Sequence, residues 1–379
     1  MSSNTQALKQ ASAQPEADPA SIIYDLALSH LPHVGALSFQ KIIKHFGSAQ
    51  AAFEHGISGA SGFSKIQKYW TAKHKALAWD QALRIYDACQ SKGIQLVSWG
   101  QSAYPPRLMQ AYDPPAILYV KGRLESHFPR VLAIVGTRKA SEYGKSMIKE
   151  FLQSCPQQGL RLVSGLAFGI DACAHLEALR LELPNDAVMA GGFDHIYPSA
   201  HRKWAQHLLE QGAWFSEHPP HAYPDARHFP MRNRIIAGLS DAVWVVEAAQ
   251  KGGALITATY ANNYHREVFA LPGNLHQISS QGCNALIRDH QAVIYTGWED
   301  LFLQMNWATQ SPKPKAFKAP LLDAVEAGIV AFLQRHPNGH WDELRVALNL
   351  PAPELSQSLM EMEFRGLIKA CAGDRYLLV

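Results

Sequence analysis

The sequence predicts an α/β fold in which a mostly parallel, doubly wound sheet carries helices on both faces. Short, wholly apolar runs such as VLAIV (131–135) and AVWVV (242–246) have the length and composition of strands that are buried on both sides. They alternate with amphipathic stretches of helical length. Several of these runs end in glycine directly before a helix, as strands do at the carboxyl edge of an open parallel sheet. We therefore expect an extended Rossmann-like core.

Composition sets limits on the partners of this core. The chain has 35 Lys and Arg against 32 Asp and Glu over 379 residues, so any basic site is a local patch rather than a global property. The scattered cysteines form no C-x-x-C pair, which is typical of reduced thiols and offers no zinc site: Cys89, Cys155, Cys173, Cys283 and Cys371. No apolar run reaches the roughly 20 residues of a membrane span, and the polar N-terminus lacks a signal-peptide core. We expect a cytoplasmic protein with no membrane span, no bound metal and no cofactor.

The N-terminal part is predicted to be helical. Residues 1–20 are polar and are expected to be disordered, and residues 21–95 show apolar side chains at helical spacing, with a Pro/Gly break at 32–35. Two short helices joined by such a turn resemble helix-hairpin-helix and SAM-like modules, which contact nucleic-acid phosphates or other proteins. A plain packing role is an equally open alternative.

The core is predicted over residues 96–305, and its first loop is basic. Two proline pairs in the lead-in exclude a long helix and leave one short strand at 117–120. The first parallel strand then runs into the turn Gly136-Thr137-Arg138-Lys139, and a helix is expected over 142–154. A strand that ends in glycine before a helix is the general phosphate-binding arrangement. Because the G-x-G-x-x-G pattern of dinucleotide sites is absent, the basic pair indicates an anion larger than one pyrophosphate.

The second loop, SGLAFGIDACAH (164–175), contains small residues that allow close backbone approach, Ser164 and Gly165 among them. Its Asp171 and His175 suggest hydrolase chemistry, but the G-x-S-x-G pattern of a nucleophile elbow is missing. Asp171 and His175 lie at positions i and i+4 of a predicted helix. We therefore interpret Asp171 as a carboxylate at the helix start that pairs locally with His175.

The third group of candidates lies in and just after a long proline-rich loop (218–231). Arg227 and Phe229 belong to the loop, and the cluster Arg232-Asn233-Arg234 stands at the opening of a helical run over 235–239. Arginines beside an aromatic ring suit single-stranded nucleic acid, since guanidinium groups bind phosphate and the ring stacks on a base. The alternative is structural: Phe229 closes the core and one arginine pairs with Glu217 or Glu247. At least one of these arginines is expected to be structural. Lys251 precedes a Gly-Gly turn that starts the next helix.

The C-terminal end is predicted to be a separate small domain. A basic, proline-containing linker (306–320) leads to residues 321–379, where three helices and a terminal strand pair form the winged-helix pattern. The third helix carries Glu354, Glu361 and Glu363 against Arg365. This helix should repel DNA, so we expect a protein-binding or regulatory role.

Several motifs, taken in order, resemble the bacterial DprA/Smf family of DNA-processing proteins over residues 104–301. They are GTRKASEYG (136–144), SGLAFGID (164–171), GGFDHIYP (191–198), FPMRNRIIAGLS (229–240), VVEAAQKGGALITA (245–258) and ALPG (270–273) with QGCNALI (281–287). The resemblance implies a homodimer that binds and protects single-stranded DNA, loads RecA onto it during natural transformation, and helps anneal DNA coated by single-strand-binding protein. It implies no catalytic activity.

By the matching motifs, the resemblance places the DNA pocket on Gly136, Thr137, Arg138, Ser164, Gly165 and the 229–234 run, with Lys251 in the following turn. With Lys139 and Arg227 from the loops above, these residues form the predicted DNA site. Two positions depart from the family pattern. Phe168 stands where the family often has a basic residue, and Gly252-Gly253 where Ser-Gly is common.

The competing hypothesis is an enzyme. Rossmann-like folds include nucleotide hydrolases such as the cytokinin-riboside phosphohydrolases, which need an acid in a PGG-x-GT-type loop. The comparable turns here, AGGFDH (190–195) and LPGNLH (271–276), have no Glu at that spacing. We therefore favour the non-catalytic DNA-binding function.

Overall fold

The computed structural model describes residues 18–57, 62–125, 127–307, 323–371 and 373–378. The chain divides into two compact units, Met1–Ala308 and Thr309–Val379, and each is described by itself. The predicted disordered segment lies outside the described residues except for its last three positions. The predicted linker lies outside them except for residues 306 and 307, where Trp307 packs into the core of the first unit instead of starting a linker.

Nine strands form the sheet of the first unit. They span Gln95–Ser98 (β1), Ile117–Gly122 (β2), Arg130–Gly136 (β3), Leu160–Ser164 (β4), Asn185–Val188 (β5), Ala213–Ser216 (β6), Ala242–Glu247 (β7), Glu267–Ala270 (β8) and Val293–Ile294 (β9). Their order across the sheet is β1-β2-β6-β5-β4-β3-β7-β8-β9. The seven strands β3 to β9 are parallel to one another. Strands β1 and β2 are antiparallel additions at one edge of the sheet.

This order confirms the doubly wound, mostly parallel sheet. The chain adds β4, β5 and β6 on one side of β3, and then returns to place β7, β8 and β9 on the other side. The strand order therefore reverses between β3 and β7, where a ligand crevice opens at the carboxyl ends of the strands. The antiparallel edge was predicted only as one short strand at 117–120.

The helices of the first unit cover both faces of the sheet. They span Pro19–Ser29 (α1), Ala36–Phe46 (α2), Ala49–His55 (α3), Ser64–Gln67 (α4), Ala72–Ser91 (α5), Pro106–Met109 (α6), Glu142–Ser154 (α7), Ile170–Arg180 (α8), Arg202–His207 (α9), His228–Leu239 (α10), Gly253–Asn263 (α11), Ile278–Arg288 (α12) and Trp298–Gln304 (α13). Helix α7 has the predicted bounds. Helix α10 begins at His228, so the Arg-Asn-Arg cluster lies inside the helix and not at its opening.

Strand β3 shows why the strands are apolar throughout. Its Val131, Ala133 and Val135 pack into the hydrophobic cluster on one face of the sheet, while Leu132 and Ile134 pack into the cluster on the other. Successive side chains of a strand point to opposite faces, so a strand with helices on both sides needs apolar residues at every position.

The N-terminal helices share a core with the antiparallel edge. Ile22 and Leu26 of α1 lie in one buried cluster with Tyr119 of β2 and Trp214 of β6. Helix α1 starts at Pro19, with the Asp18 carboxylate accepting a hydrogen bond from the Ala20 N–H as its cap. Strand β1 begins at Gln95, so it crosses the boundary predicted between residues 95 and 96.

The second unit is a winged helix. Its elements span Ala324–Arg335 (α14), Gly339–His340 (β10), Trp341–Leu348 (α15), Ala352–Phe364 (α16), Ile368–Cys371 (β11) and Arg375–Leu378 (β12), with the antiparallel strand order β10-β12-β11. The two-residue strand β10 was not predicted. Helix α16 exposes Met360 and Phe364 among its glutamates. Of the helices in the described part of the chain, none is long and apolar enough to cross a membrane.

Candidate functional site

The described residues form a pocket of about 800 Å³ at the reversal point of the sheet. It opens at the carboxyl ends of β3 and β7, where ligand sites of doubly wound sheets lie. Its walls come from the first loop (136–139), from α10, and from the turn that precedes α11. Val135, Ile236 and Ala248 contribute apolar surface, and the basic and aromatic side chains lie along the walls.

The first loop is fixed by backbone contacts. The Thr137 N–H donates to the Glu247 carbonyl at 2.7 Å, and the Ile170 N–H donates to the Thr137 carbonyl at 3.1 Å. A Cβ at Gly136 would lie 2.5 Å from the side chain of Ile170, so only glycine fits there. Gly169 has φ of +79°, and a Cβ on it would meet the carbonyl oxygen of Thr137. These contacts hold the loop in place while Arg138 and Lys139 remain exposed.

Glu247 organises the start of α7. Its carboxylate accepts hydrogen bonds from the Ser141 N–H at 2.8 Å and the Ser141 hydroxyl at 2.5 Å, and from the Ser279 hydroxyl at 3.2 Å. Ser141 is the N-cap of α7, as predicted. This carboxylate is buried at the end of β7, and its hydrogen bonds hold the residues between the first loop and α7. Glu247 is therefore not the carboxylate that pairs with an arginine of the cluster.

A cation and aromatic rings meet at the pocket wall. The Arg138 guanidinium lies 5.5 Å from the centre of the Phe229 ring. The Tyr197 ring packs edge-on against Phe229 with 5.4 Å between ring centres, and 49% of Tyr197 is exposed. Tyr197 follows the GGFDHI segment and was not among the predicted site residues. Charge and ring faces lie side by side here, which is the combination that a nucleotide requires.

The N-terminus of α11 opens into the same pocket. Gly252 is its N-cap and supplies no side-chain cap, and Gly252, Gly253 and Ala254 line the pocket. The first N–H groups of a helix and its dipole favour an anion at this position. The Asn233 side-chain amide donates to the Gly253 carbonyl at 3.2 Å and ties α10 to this turn. Lys251 is exposed beside it.

Arg232 lies at the floor of the pocket and is 5% exposed. Its guanidinium donates to the carbonyl oxygens of Gly165 and Val188. Burial lowers the pKa of Arg232 to about 10, while the charge of Asp171 acts in the opposite direction. The Asp171 carboxylate accepts from the N–H groups of Gly165 at 3.2 Å and Ala167 at 3.3 Å. Arg232 therefore joins the second loop to β5, and its charge lies beneath the pocket.

Arg234 has a structural role, contrary to its predicted place in the DNA site. It is 4% exposed, pairs with the Glu217 carboxylate, and donates to the Asp113 carbonyl at 2.6 Å. It is not a lining residue of the pocket. The structural alternative, in which one arginine of the cluster pairs with Glu217, is confirmed.

Four other predicted residues are also absent from the pocket lining, and one of them is Lys251, which is exposed beside the turn before α11. Ser164 is buried, and its hydroxyl donates to the Ile134 carbonyl at 2.6 Å. Gly165 is buried beneath Arg232, and a Cβ on it would lie 2.5 Å from the Arg232 Cζ. Arg227 is exposed outside the pocket lining and pairs with Asp225 at 2.9 Å. The predicted residues that line the pocket are Gly136, Thr137, Arg138, Lys139, Phe229, Arg232 and Asn233.

The expected pair between Asp171 and His175 does not form. The His175 ring binds the Asn185 side-chain oxygen through Nδ1 at 2.7 Å, and its Nε2 accepts from the Leu166 N–H at 3.3 Å. Burial lowers the pKa of His175 to about 4. Both side chains shape the second loop. Within the described ranges, no three His, Cys, Asp or Glu side chains come together as a metal site.

Comparison with known families gives two matches. A family model described as DNA recombination-mediator protein A matches residues 95–306, which is more than half of the chain. A second model, described as DprA winged helix domain, matches residues 312–374.

Individual relatives agree with these matches. The chain is 40% identical to the DNA processing protein DprA of Bacillus subtilis, over 59% of this chain and 75% of that protein. It is 31% identical to Protein Smf of Synechocystis, over 93% of this chain and 98% of that protein.

Solved structures show the same fold. The X-ray structure of DprA from Streptococcus pneumoniae has a TM-score of 0.60 and 32% identity, and covers 74% of this chain and 96% of its own. A structure of DNA processing protein A from Helicobacter pylori, reported for its single-stranded DNA binding mode, has a TM-score of 0.51 and 28% identity. It covers 56% of this chain and 96% of its own.

Proposed function

The chain belongs to the DNA recombination-mediator protein A (DprA/Smf) family, and we propose that it is a non-catalytic protein that binds single-stranded DNA in the pocket between β3 and β7. Phosphate groups would bind to Arg138, Lys139 and the N-terminus of α11. An unstacked base would lie against Phe229. Lys251 would add a further charge at the rim.

The observation that carries this proposal is the contact between the Arg138 guanidinium and the Phe229 ring, 5.5 Å apart at the pocket wall. Proteins that bind single strands combine positive side chains that follow the backbone with aromatic rings on which bases stack. In a duplex the bases are paired and stacked, so a recessed ring cannot reach their faces. The arrangement therefore favours single strands over double strands.

We further propose that the protein acts in the cytoplasm as a homodimer. In natural transformation it protects incoming DNA, loads RecA onto it, and helps anneal DNA that single-strand-binding protein has coated. Membership of the family supports these finer statements. The winged helix would serve a protein partner, since helix α16 carries Glu354, Glu361 and Glu363.

Nucleotide hydrolysis is not favoured. The acid that lines the pocket is Asp171, and its carboxylate already accepts hydrogen bonds from Gly165 and Ala167 N–H groups. Burial raises the pKa of Asp171, against the opposing effect of Arg232. A general base for water needs a carboxylate aimed at the substrate, whereas this carboxylate holds its own loop.

The test is the affinity of Arg138→Ala for a labelled single strand, measured by fluorescence anisotropy at two or more salt concentrations. Arg138 is exposed, so the variant should keep the stability of the wild type. We expect binding about tenfold or more weaker, and a slope of log affinity against log salt reduced by about 0.7, the value for one phosphate contact on a single strand. Adding Lys139→Ala should reduce the slope again.

Arg180→Ala provides the matched control. Arg180 is a half-exposed arginine at the C-terminal end of α8, away from the carboxyl edge of the sheet where α8 begins. Its loss should leave DNA binding unchanged. Wild-type affinity in the Arg138→Ala Lys139→Ala variant would refute the proposed site. Equal affinity of the wild type for single and double strands would refute the proposed preference.

A further inference from the structure

The exposed ring of Phe168 lies just outside the pocket. Phe168 follows Ala167, which lines the pocket, and precedes Gly169 at the start of α8. It is 45% exposed, although large aromatic side chains contribute most when they are buried. Phe168 belongs to none of the hydrophobic clusters of the described residues. Packing of the core therefore does not explain a phenylalanine at this position.

The ring is held in place from one side. It meets the His201 ring at 4.7 Å between centres and at 77° between planes, which is an edge-to-face contact. His201 is 6% exposed, and its Nδ1 lies 2.9 Å from the Leu166 carbonyl oxygen. An edge-to-face contact occupies at most one face of the Phe168 ring. The exposed part of the ring is thus a flat surface that His201 supports from one side.

The segment that contacts Phe168 also contributes to the pocket. Tyr197 packs against Phe229 inside the pocket and lies four residues before His201, which holds Phe168. A second exposed ring, that of Phe168, therefore lies next to segments that line the pocket.

We propose that Phe168 forms a second base-stacking subsite for single-stranded DNA as the strand leaves the pocket. This inference rests on the proposed function of the pocket. A strand longer than the pocket can hold must cross its rim, and stacking on an aromatic ring accepts any base because every base has a π-face. The subsite lengthens the bound segment without adding sequence preference.

The experiment measures affinity against strand length. Full-length protein is titrated into 5′-labelled oligothymidylates of about 4 to 16 nucleotides, the range of footprints known for single-strand sites. The variants are Phe168→Ala, Phe168→Leu and Phe168→Trp. Leucine keeps an apolar side chain but removes the ring, and tryptophan keeps a ring. Leu176→Ala is the control, since Leu176 on α8 is 46% exposed.

We expect the longest strand to bind Phe168→Ala and Phe168→Leu about fivefold more weakly, equivalent to about 1 kcal/mol. The shortest strand should bind them like the wild type, and Phe168→Trp and Leu176→Ala should bind all strands normally. A long strand that lacks bases beyond the pocket-binding segment should bind Phe168→Leu and the wild type with equal affinity.

Two results would overturn the inference while leaving the proposed function intact. One is unchanged binding of the longest strand by Phe168→Leu. The other is equal weakening of short and long strands, which would place Phe168 in the support of the pocket. A wild type that binds no strand of any length would instead overturn the proposed function itself, and the subsite with it.

Discussion

Replacing Gly165 by alanine tests whether the buried Arg232 is held by the second loop as described. A Cβ at position 165 would lie 2.5 Å from the Cζ of Arg232, about 1 Å closer than an ordinary contact allows. Because Arg232 is 5% exposed, its guanidinium cannot move into water without leaving the carbonyl oxygens of Gly165 and Val188. A hydrogen bond from a charged donor contributes about 1.5–3 kcal/mol. The loss of both bonds should therefore cost about 3 kcal/mol or more.

The assay is urea unfolding followed by tryptophan fluorescence, which reports the first unit because eight of the nine tryptophans precede residue 308. Gly165→Ala should lower the unfolding midpoint in proportion, and lower Tm by roughly 2–4 °C per kcal/mol. Combining it with Arg232→Met removes the guanidinium that the new methyl group meets. In that background Gly165→Ala should cost less than about 1 kcal/mol. The same cost in both backgrounds would show that the strain lies elsewhere and would refute the reasoning.

Two further predictions follow from buried charges and from a buried ring. Arg234→Leu leaves the Glu217 carboxylate without its partner and should destabilise the first unit by about 3–5 kcal/mol, while Arg234→Leu with Glu217→Leu should recover most of that loss in the same urea assay. Persistent destabilisation of the double variant would contradict a pairing role. Burial lowers the pKa of His175 to about 4 from the usual value near 6.5, so the unfolded chain takes up a proton first and stability falls as pH decreases between these values, by about 3 kcal/mol in all. In the His175→Gln variant the free energy of unfolding should fall less between pH 7 and pH 5 than in the wild type. Burial also lowers the pKa of His218 to about 4, so His218 should account for part of the remaining fall. An unchanged pH dependence of stability in His175→Gln would refute the assignment to His175.

The parallel sheet could be predicted from the sequence because its chemistry is local. A strand covered on both faces must be apolar at every position, and VLAIV and AVWVV satisfy this condition without reference to any partner. The turn after β3 was predictable for a similar reason, since glycine and an N-cap serine mark it directly. The antiparallel edge was not, because pairing of β1 with β2 depends on where the N-terminal helices pack.

The fate of each arginine could not be predicted in the same way. Arg138, Arg232 and Arg234 are chemically identical, and their roles depend on acceptors that are distant along the chain. Arg234 meets Glu217 and the Asp113 carbonyl, and Arg232 meets two carbonyls at the ends of other strands. Tyr197 was missed because its position at the pocket depends on how the loop after β5 runs.

The burial of Arg232 and Arg234 has a consequence for comparing related chains. A descendant that had given up nucleic acid altogether would still need both side chains to keep its loops and strands together, and so would retain the Arg-Asn-Arg signature. The same descendant could accept substitutions at Arg138, Lys139 and Phe229, because these substitutions would weaken DNA binding and not the stability of the fold. An intact Arg-Asn-Arg sequence thus indicates common ancestry. The residues at positions 138, 139 and 229, which line the pocket, are the better guide to whether a homologue still binds DNA.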